Sequence, residues 1–194
     1  MDYITLTKDS FIAKGGERDC YVHPKDDKKV IKIIHRKCKN NEQNQLEYRY
    51  TNFLKSKQIP FDHITDCYGF VNTNFGQGLV FDRVLDYTNE QSKSFKEYLK
   101  KSLLSKEIEL KLIKELKDYI FKYNILFIDV DLSNVFCQEY KKNKYKLIII
   151  DGLGARRIGF KFSLYLKSNL FTKYKMKKQW KKFWQNYLKY SNNK

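Results

Sequence analysis

The 194-residue chain has no apolar run suited to a membrane. The longest, Leu147–Ile150 and the equal run Ile125–Ile128, are far short of the roughly 20 residues that span a bilayer. Met1-Asp2-Tyr3-Ile4-Thr5 has no basic start followed by an apolar stretch, so no signal peptide is expected and the expected compartment is the cytoplasm. Only four cysteines occur, Cys20, Cys38, Cys67 and Cys137, and none forms a CxxC pair. Their spacing does not suggest zinc, even with His23, His35 and His63 added, and free structural thiols in a reducing compartment are the better reading. No internal repeat and no Pro/Gly/Ser linker divides the chain, whose length suits one core or two small lobes sharing a cleft.

The most localised absence is of negative charge. No Asp or Glu occurs after Asp151, whereas twelve Lys or Arg lie between Gly152 and the end. Of the net charge of +17, that segment supplies +12 and the preceding residues the other +5. A basic segment on a nearly balanced body suits phosphates, an anionic glycan or an acidic membrane surface as well as nucleic acid.

The residues that are present read as strands, then helices. Ser10–Ala13 and Cys20–His23 flank a turn at Lys14–Asp19, and Pro24–Lys28 is a second turn signal. Val30–Ile34 is β-branched and apolar, as in a buried strand. A helix is predicted over Asn41–Lys57, ending before Pro60, with Leu46, Tyr50, Phe53 and Leu54 as its apolar stripe. Strands come next at Cys67–Asn72 and Gly78–Val84. Helices are predicted at Phe95–Leu104 and Lys106–Asn124, the latter with Ile108, Leu112, Leu116 and Ile120 at steps of four. A hairpin, Val135–Gln138 with Tyr145–Ile150, precedes a basic, aromatic, helical end. This order predicts an α+β protein with a small strand-rich lobe before a helical one, joined near Phe81–Val84.

Four features carry candidate chemistry. Gly15-Gly16 forms a turn where backbone N–H groups can approach a phosphate without an intervening Cβ; a Gly-Gly hairpin turn is its plainer reading. Lys32 points opposite to Ile31 and Ile33; taken alone it reads as the solvated face of a half-buried strand. In a cleft its ammonium can pair with phosphates and be held by a helix carboxylate, Glu47 or Glu42, each otherwise a surface glutamate. In Phe127-Ile128-Asp129-Val130-Asp131-Leu132-Ser133-Asn134, two acids and an asparagine come after an apolar run, a costly position without partners. One carboxylate can deprotonate an acceptor hydroxyl and the asparagine oxygen can ligate magnesium. Finally, Asp151 ends the apolar run Leu147–Ile150 and precedes Gly152-Leu153-Gly154, a placement that suits a cation ligand or a simple turn cap.

Taken in order, a Gly-rich turn, a strand Lys, a helix Glu, Asp-x4-Asn and strand-Asp-Gly resemble the protein-kinase-like superfamily from about Phe11 to Arg157. The stretch Gly15-Gly16-Glu17-Arg18-Asp19-Cys20-Tyr21-Val22-His23-Pro24, with Val30-Ile31-Lys32 and Ile150-Asp151-Gly152-Leu153-Gly154, is similar to the bacterial YrbL family, short kinase-like proteins named for a PhoP-regulated network. The resemblance implies a compact bilobal kinase-like fold in one domain, with a small antiparallel-sheet lobe at 1–82 and a reduced helical lobe at 83–194. It implies ATP and Mg²⁺ as cofactors. Gly15 and Gly16 then cover the phosphates, and Lys32 touches them while paired with Glu47. The stretch from Phe81 and Asp82 to Val84 lies beside the adenine. Asp129 stands at the base position, and Asn134 and Asp151 ligate the metal.

The chain also departs from the superfamily pattern. Phe127-Ile128 replace the usual His-Arg before the catalytic Asp. Asp131 stands where a lysine is common, so it too is a candidate catalytic residue, with Arg156 or Arg157 as the compensating cation. Gly152 replaces the Phe of Asp-Phe-Gly, and the segment after Asp151 is short for a peptide-docking lobe. The expectation is therefore a phosphotransferase acting on a hydroxyl of a sugar, glycan or other small acceptor rather than a protein. A pseudokinase or regulatory nucleotide-binding module is the first alternative. A polyanion or nucleic-acid binder using the basic end, with Trp180, Phe183 and Trp184 stacking bases, is the second; nucleic acid is the less favoured partner.

Overall fold

A computed structural model describes residues 3–35 and 42–191. They fall into two compact units, one drawn from Met1–Gln58 and Thr65–Arg83, the other from Ile59–Ile64 and Val84–Lys194. The fold is mixed α+β. Cys38 and Asn41 lie outside the described residues.

The first unit is built on β1 (Tyr3–Ile4), β2 (Phe11–Lys14), β3 (Arg18–His23), β4 (Asp26–Ile34), helix α1 (Gln43–Ser56), β5 (Cys67–Thr73) and β6 (Gly76–Asp82). The six strands form one sheet in the order β1-β5-β6-β4-β3-β2, antiparallel except for the β1–β5 pair. The predicted turn at Pro24–Lys28 is shorter than expected, because Asp26–Lys28 already belong to β4. The short β1 was not anticipated; Asn74 ties the chain after it, accepting from the Leu6 N–H and donating to the Leu6 carbonyl.

Successive residues of a strand face opposite sides, and both faces of this sheet are covered. Ile31 and Ile33 pack with Ile4, Leu6, Tyr21 and Val80 on one side. Val30 packs with Cys67, Leu79 and Phe81 on the other, against Tyr48 of α1. Lys32 belongs to this second face, so it cannot be a solvated position; it is only 7% exposed.

The second unit contains β7 (Lys93–Ser94), α2 (Phe95–Lys100), α3 (Lys106–Lys122), β8 (Val135–Lys141), β9 (Lys144–Ile149), α4 (Phe160–Lys167) and α5 (Asn169–Ser191). Strands β7, β8 and β9 form a small antiparallel sheet. Helix α2 stops four residues short of its predicted end because Ser102 takes a left-handed conformation, φ 51°. Ile108 is exposed, and the buried stripe of α3 instead begins at Glu109, whose carboxylate accepts the Tyr187 hydroxyl. Residues 59–64 join this unit through hydrogen bonds: His63 Nδ1 meets the Leu147 carbonyl at 2.7 Å, and the Ile149 N–H donates to the His63 carbonyl. Among the described residues, no helix is long and apolar enough to cross a membrane.

Candidate functional site

In the first unit, the Gly15-Gly16 turn links β2 to β3. The Gly15 N–H donates to the Arg18 carbonyl at 2.7 Å. A Cβ on Gly15 would sit 2.9 Å from that same oxygen, so the turn itself requires glycine there. At Gly16 a Cβ meets nothing within 4 Å among the described residues.

Helix α1 brings Glu47, not Glu42, to Lys32. Glu47 is 4% exposed, while Glu42 lies at the exposed start of the helix. Lys32 Nζ is 4.0 Å from Glu47 Oε2 and 4.3 Å from the centre of the Phe81 ring, a cation–π arrangement. The tighter partner of Glu47 is Arg18, which sequence reasoning passed over. Arg18 Nη1 and Nη2 reach the two carboxylate oxygens at 2.7 and 3.1 Å, a bidentate fork. Asn44 completes the group, accepting from Arg18 Nη1 and donating to the Lys32 carbonyl, both at 3.0 Å. The clue in the sequence was Arg18 beside the paired glycines, at a place where an arginine has no routine turn role.

Asp82, expected beside the adenine, is engaged within its own unit. Its carboxylate accepts the Asp66 N–H and the Tyr68 hydroxyl, both at 2.7 Å. That bond, more than burial, pushes the Tyr68 hydroxyl far above its ordinary pKa. Phe81 is buried in β6 under Lys32. Val84 falls in the second unit, where its carbonyl accepts from the Ser92 N–H and the Gln91 side chain.

In the second unit, Asp129, Asn134 and Asp151 come together. Asn134 Nδ2 donates to both the carbonyl and Oδ2 of Asp129, each at 3.0 Å. The N–H groups of Ile128 and Asp129 donate to the Gly152 carbonyl at 2.8 and 3.1 Å, and the Ile150 N–H donates to the Asn134 carbonyl. Asp151 Oδ1 accepts the N–H of Gly152. Gly152 has φ 83°, and a Cβ there would lie 2.8 Å from the Asp129 Cβ. A phenylalanine at 152 is thus excluded by backbone conformation and by the closeness of Asp129, which accounts for the glycine.

Asp131 has a different post. It caps the short 3-10 turn Leu132–Asn134, with Oδ1 accepting the Ser133 N–H at 2.8 Å and hydroxyl at 2.7 Å. Lys96 of α2 stands 3.5 Å from the same oxygen. Burial pushes the Asp131 carboxyl up, but the Ser133 bonds and the Lys96 charge outweigh it and hold the group below its usual value. Lys96, distant in sequence, is thus one cation that the fold sets on this loop. Arg156 and Arg157 are exposed.

Helix α5 holds the loop from behind. Gln179 Nε2 donates to the Ile128 carbonyl, and Asn186 Nδ2 to the Val130 carbonyl at 3.0 Å. These bonds flank Asp129 on both sides. Phe183, between them on the helix, is fully buried and packs near Phe127, with ring centres 6.3 Å apart. Trp180 stacks on Phe183 at 4.8 Å. The expected base-stacking trio is thus divided: Phe183 serves the core, Trp180 covers it, and only Trp184 is exposed.

The oxygen donors Asn134 and Asp151 suit magnesium, a hard cation that takes one or two protein ligands and completes its shell with water and phosphate oxygens. Among the described residues, no group of three or more His, Cys, Asp or Glu could hold a metal by itself. His35 instead faces Asp19 at 2.9 Å and His63 the Leu147 carbonyl. Among the described residues Cys20, Cys67 and Cys137 form no disulfide, and burial pushes Cys67 up to about 11.

Two curated relatives are similar to the chain, each called uncharacterized protein YrbL, from Escherichia coli (strain K12) and Shigella flexneri. Each is 26% identical over 154 residues, covering 78% of this chain and 73% of the relative. A family model described as PhoP regulatory network protein YrbL matches residues 4–188. With that match running nearly end to end, the chain belongs to the YrbL family.

Proposed function

We propose that the chain is an ATP- and magnesium-dependent phosphotransferase of protein-kinase-like design, acting on a hydroxyl of a sugar, glycan or other small acceptor. The observation that carries this reading is the trio in the second unit: Asn134 holding Asp129, with Asp151 and Gly152 hydrogen-bonded alongside. The buried pair of Lys32 with Glu47 in the first unit supports it independently. Placing a lysine and a glutamate in an apolar layer is costly unless their charges serve each other or a ligand.

In this reading Lys32 contacts the nucleotide phosphates and Glu47 orients it. Asn134 and Asp151 hold the magnesium, which neutralises phosphate charge when bound. Asn134 Nδ2 occupies Oδ2 of Asp129, so Oδ1 accepts the proton of the acceptor hydroxyl. The acceptor oxygen then bonds to the γ-phosphorus, the bond to the β–γ bridging oxygen breaks, and ADP leaves. Asp131 serves the loop as a cap rather than as the base.

A second reading, a regulatory nucleotide-binding module without transfer, is favoured by one feature. Phe127 and Ile128 replace the usual His-Arg pair, and Phe127 is spent on a bridge to Leu153 and on the core. The family's description as part of a regulatory network suits it as well. The two readings part in a phosphate-transfer assay with Mg-ATP and a panel of sugars, glycans and proteins. Transfer to a small acceptor, reduced about 10²–10⁴-fold by Asp129→Asn, is expected. Nucleotide binding without transfer to any acceptor selects the second reading.

A further inference from the structure

We propose that the outward face of α5, together with the start of α4, is a docking surface for an anionic lipid bilayer. This inference does not depend on the nucleotide reading. Its first support is the division of α5 into two faces. Thr172, Met176, Gln179, Phe183 and Tyr187 are buried. On the flank of the same helix, Phe171, Lys175, Lys178 and Lys182 recur at steps of four, three and four, and so share one stripe. Leu170, Tyr174, Lys177 and Lys181 repeat that spacing one position earlier and form the adjoining stripe.

These stripes combine two properties that a water-facing helix rarely shows together. Large apolar side chains stand open: Phe160 of α4 is 82% exposed, Leu170 81% and Tyr174 68%. On α4 and α5 themselves the charge is of one sign, since no carboxylate side chain occurs after Asp151. Lys175 is half-buried, and Lys178, Lys182, Arg156 and Lys161 lie close enough to act on it electrostatically. Burial first, then those four charges, push its ammonium below the usual lysine value. Arg156 and α4 thus converge with α5 on one cationic patch.

Anionic headgroups relieve that repulsion, and the headgroup boundary accepts exposed Phe and Leu side chains. A nucleic acid would meet the charge but not the aliphatic Leu170. Of the three rings considered for base stacking, Phe183 is buried and Trp180 is stacked on it, which leaves Trp184 alone open.

The test is co-sedimentation of the full chain with vesicles of phosphatidylcholine alone and with one-third phosphatidylglycerol. Binding is expected only to the phosphatidylglycerol vesicles and is expected to weaken as salt rises. Lys178→Glu with Lys182→Glu is expected to lower partitioning at least about tenfold. Leu170→Ser with Phe171→Ser is expected to lower it severalfold at unchanged charge, and Phe160→Ser gives a second apolar probe at an open position. Lys141→Glu with Lys142→Glu, the same charge change on the exposed β8–β9 hairpin, is expected to leave binding unchanged; melting curves confirm that each variant is folded. No partitioning onto phosphatidylglycerol vesicles overturns the proposal. So does indifference to both apolar substitutions, which would mark a purely electrostatic polyanion site. Binding to a single-stranded oligonucleotide that persists at salt sufficient to release the vesicles would assign the surface to nucleic acid instead.

Discussion

In the first unit, Lys32, Arg18, Glu47 and Asn44 are buried and joined side chain to side chain. In the second, Asp129 is exposed, Asp131 and Asn134 are half-buried, and the loop carrying them is held mainly through backbone carbonyls and N–H groups. The two arrangements differ in what they can lose. A buried ion pair deprived of one partner leaves a charge in an apolar layer. An exposed carboxylate on a backbone-held loop can change while the loop stays in place.

The sharpest way to break this contrast is Arg18→Met. It strips the two-point partner from Glu47 and is expected to destabilise the chain by about 3–5 kcal/mol, measured by urea unfolding; a loss below about 1 kcal/mol would mean that Glu47 does not need the fork. Next is Gly152→Ala. With φ 83° and a Cβ 2.8 Å from that of Asp129, it is expected to cost about 1–3 kcal/mol, read from a thermal melt. Asp129→Asn should fall within about 0.5 kcal/mol of the parent while abolishing most transfer; a large stability loss would make Asp129 structural.

The smallest effect concerns pH. The folded-state pKa of Asp131 is lowered, so its contribution to stability is present above the ordinary aspartate value, about 3.9, and is lost as pH falls toward the folded value. Asp131→Asn is expected to flatten the stability curve in that acid window and to leave it unchanged near neutrality, as measured by unfolding at a series of pH values.

The parts of the molecule legible in the sequence are those governed by local pattern. The β-branched apolar run Val30–Ile34 marked a strand, the four-residue steps of Leu46, Tyr50 and Leu54 marked α1, and the β8–β9 hairpin came from two apolar runs about a turn. Non-local pairing was not legible. That Lys32 is buried depends on α1 covering its sheet face, where Tyr48 packs against Val30, Leu79 and Phe81 and Glu47 meets the lysine. That Arg18 rather than Lys32 holds Glu47 most tightly depends on β3 lying beside β4. Lys96 reaches Asp131 from 35 residues away. Helix α5 showed in sequence as a basic aromatic segment, and no periodicity reveals that Gln179 and Asn186 anchor the carbonyls flanking Asp129. Helix α5 thus pairs a buried face that steadies this loop with an open face that carries cations and apolar side chains.

Nucleotide binding is tested most directly by one titration: ATP added to the purified chain with and without Mg²⁺, for the parent and for Lys32→Met and Asp151→Ala. Saturable binding that strengthens with Mg²⁺ is expected, with Lys32→Met weakening binding in both conditions and Asp151→Ala removing the magnesium dependence. The absence of saturable ATP binding by the folded parent, or binding indifferent to both substitutions, would contradict it.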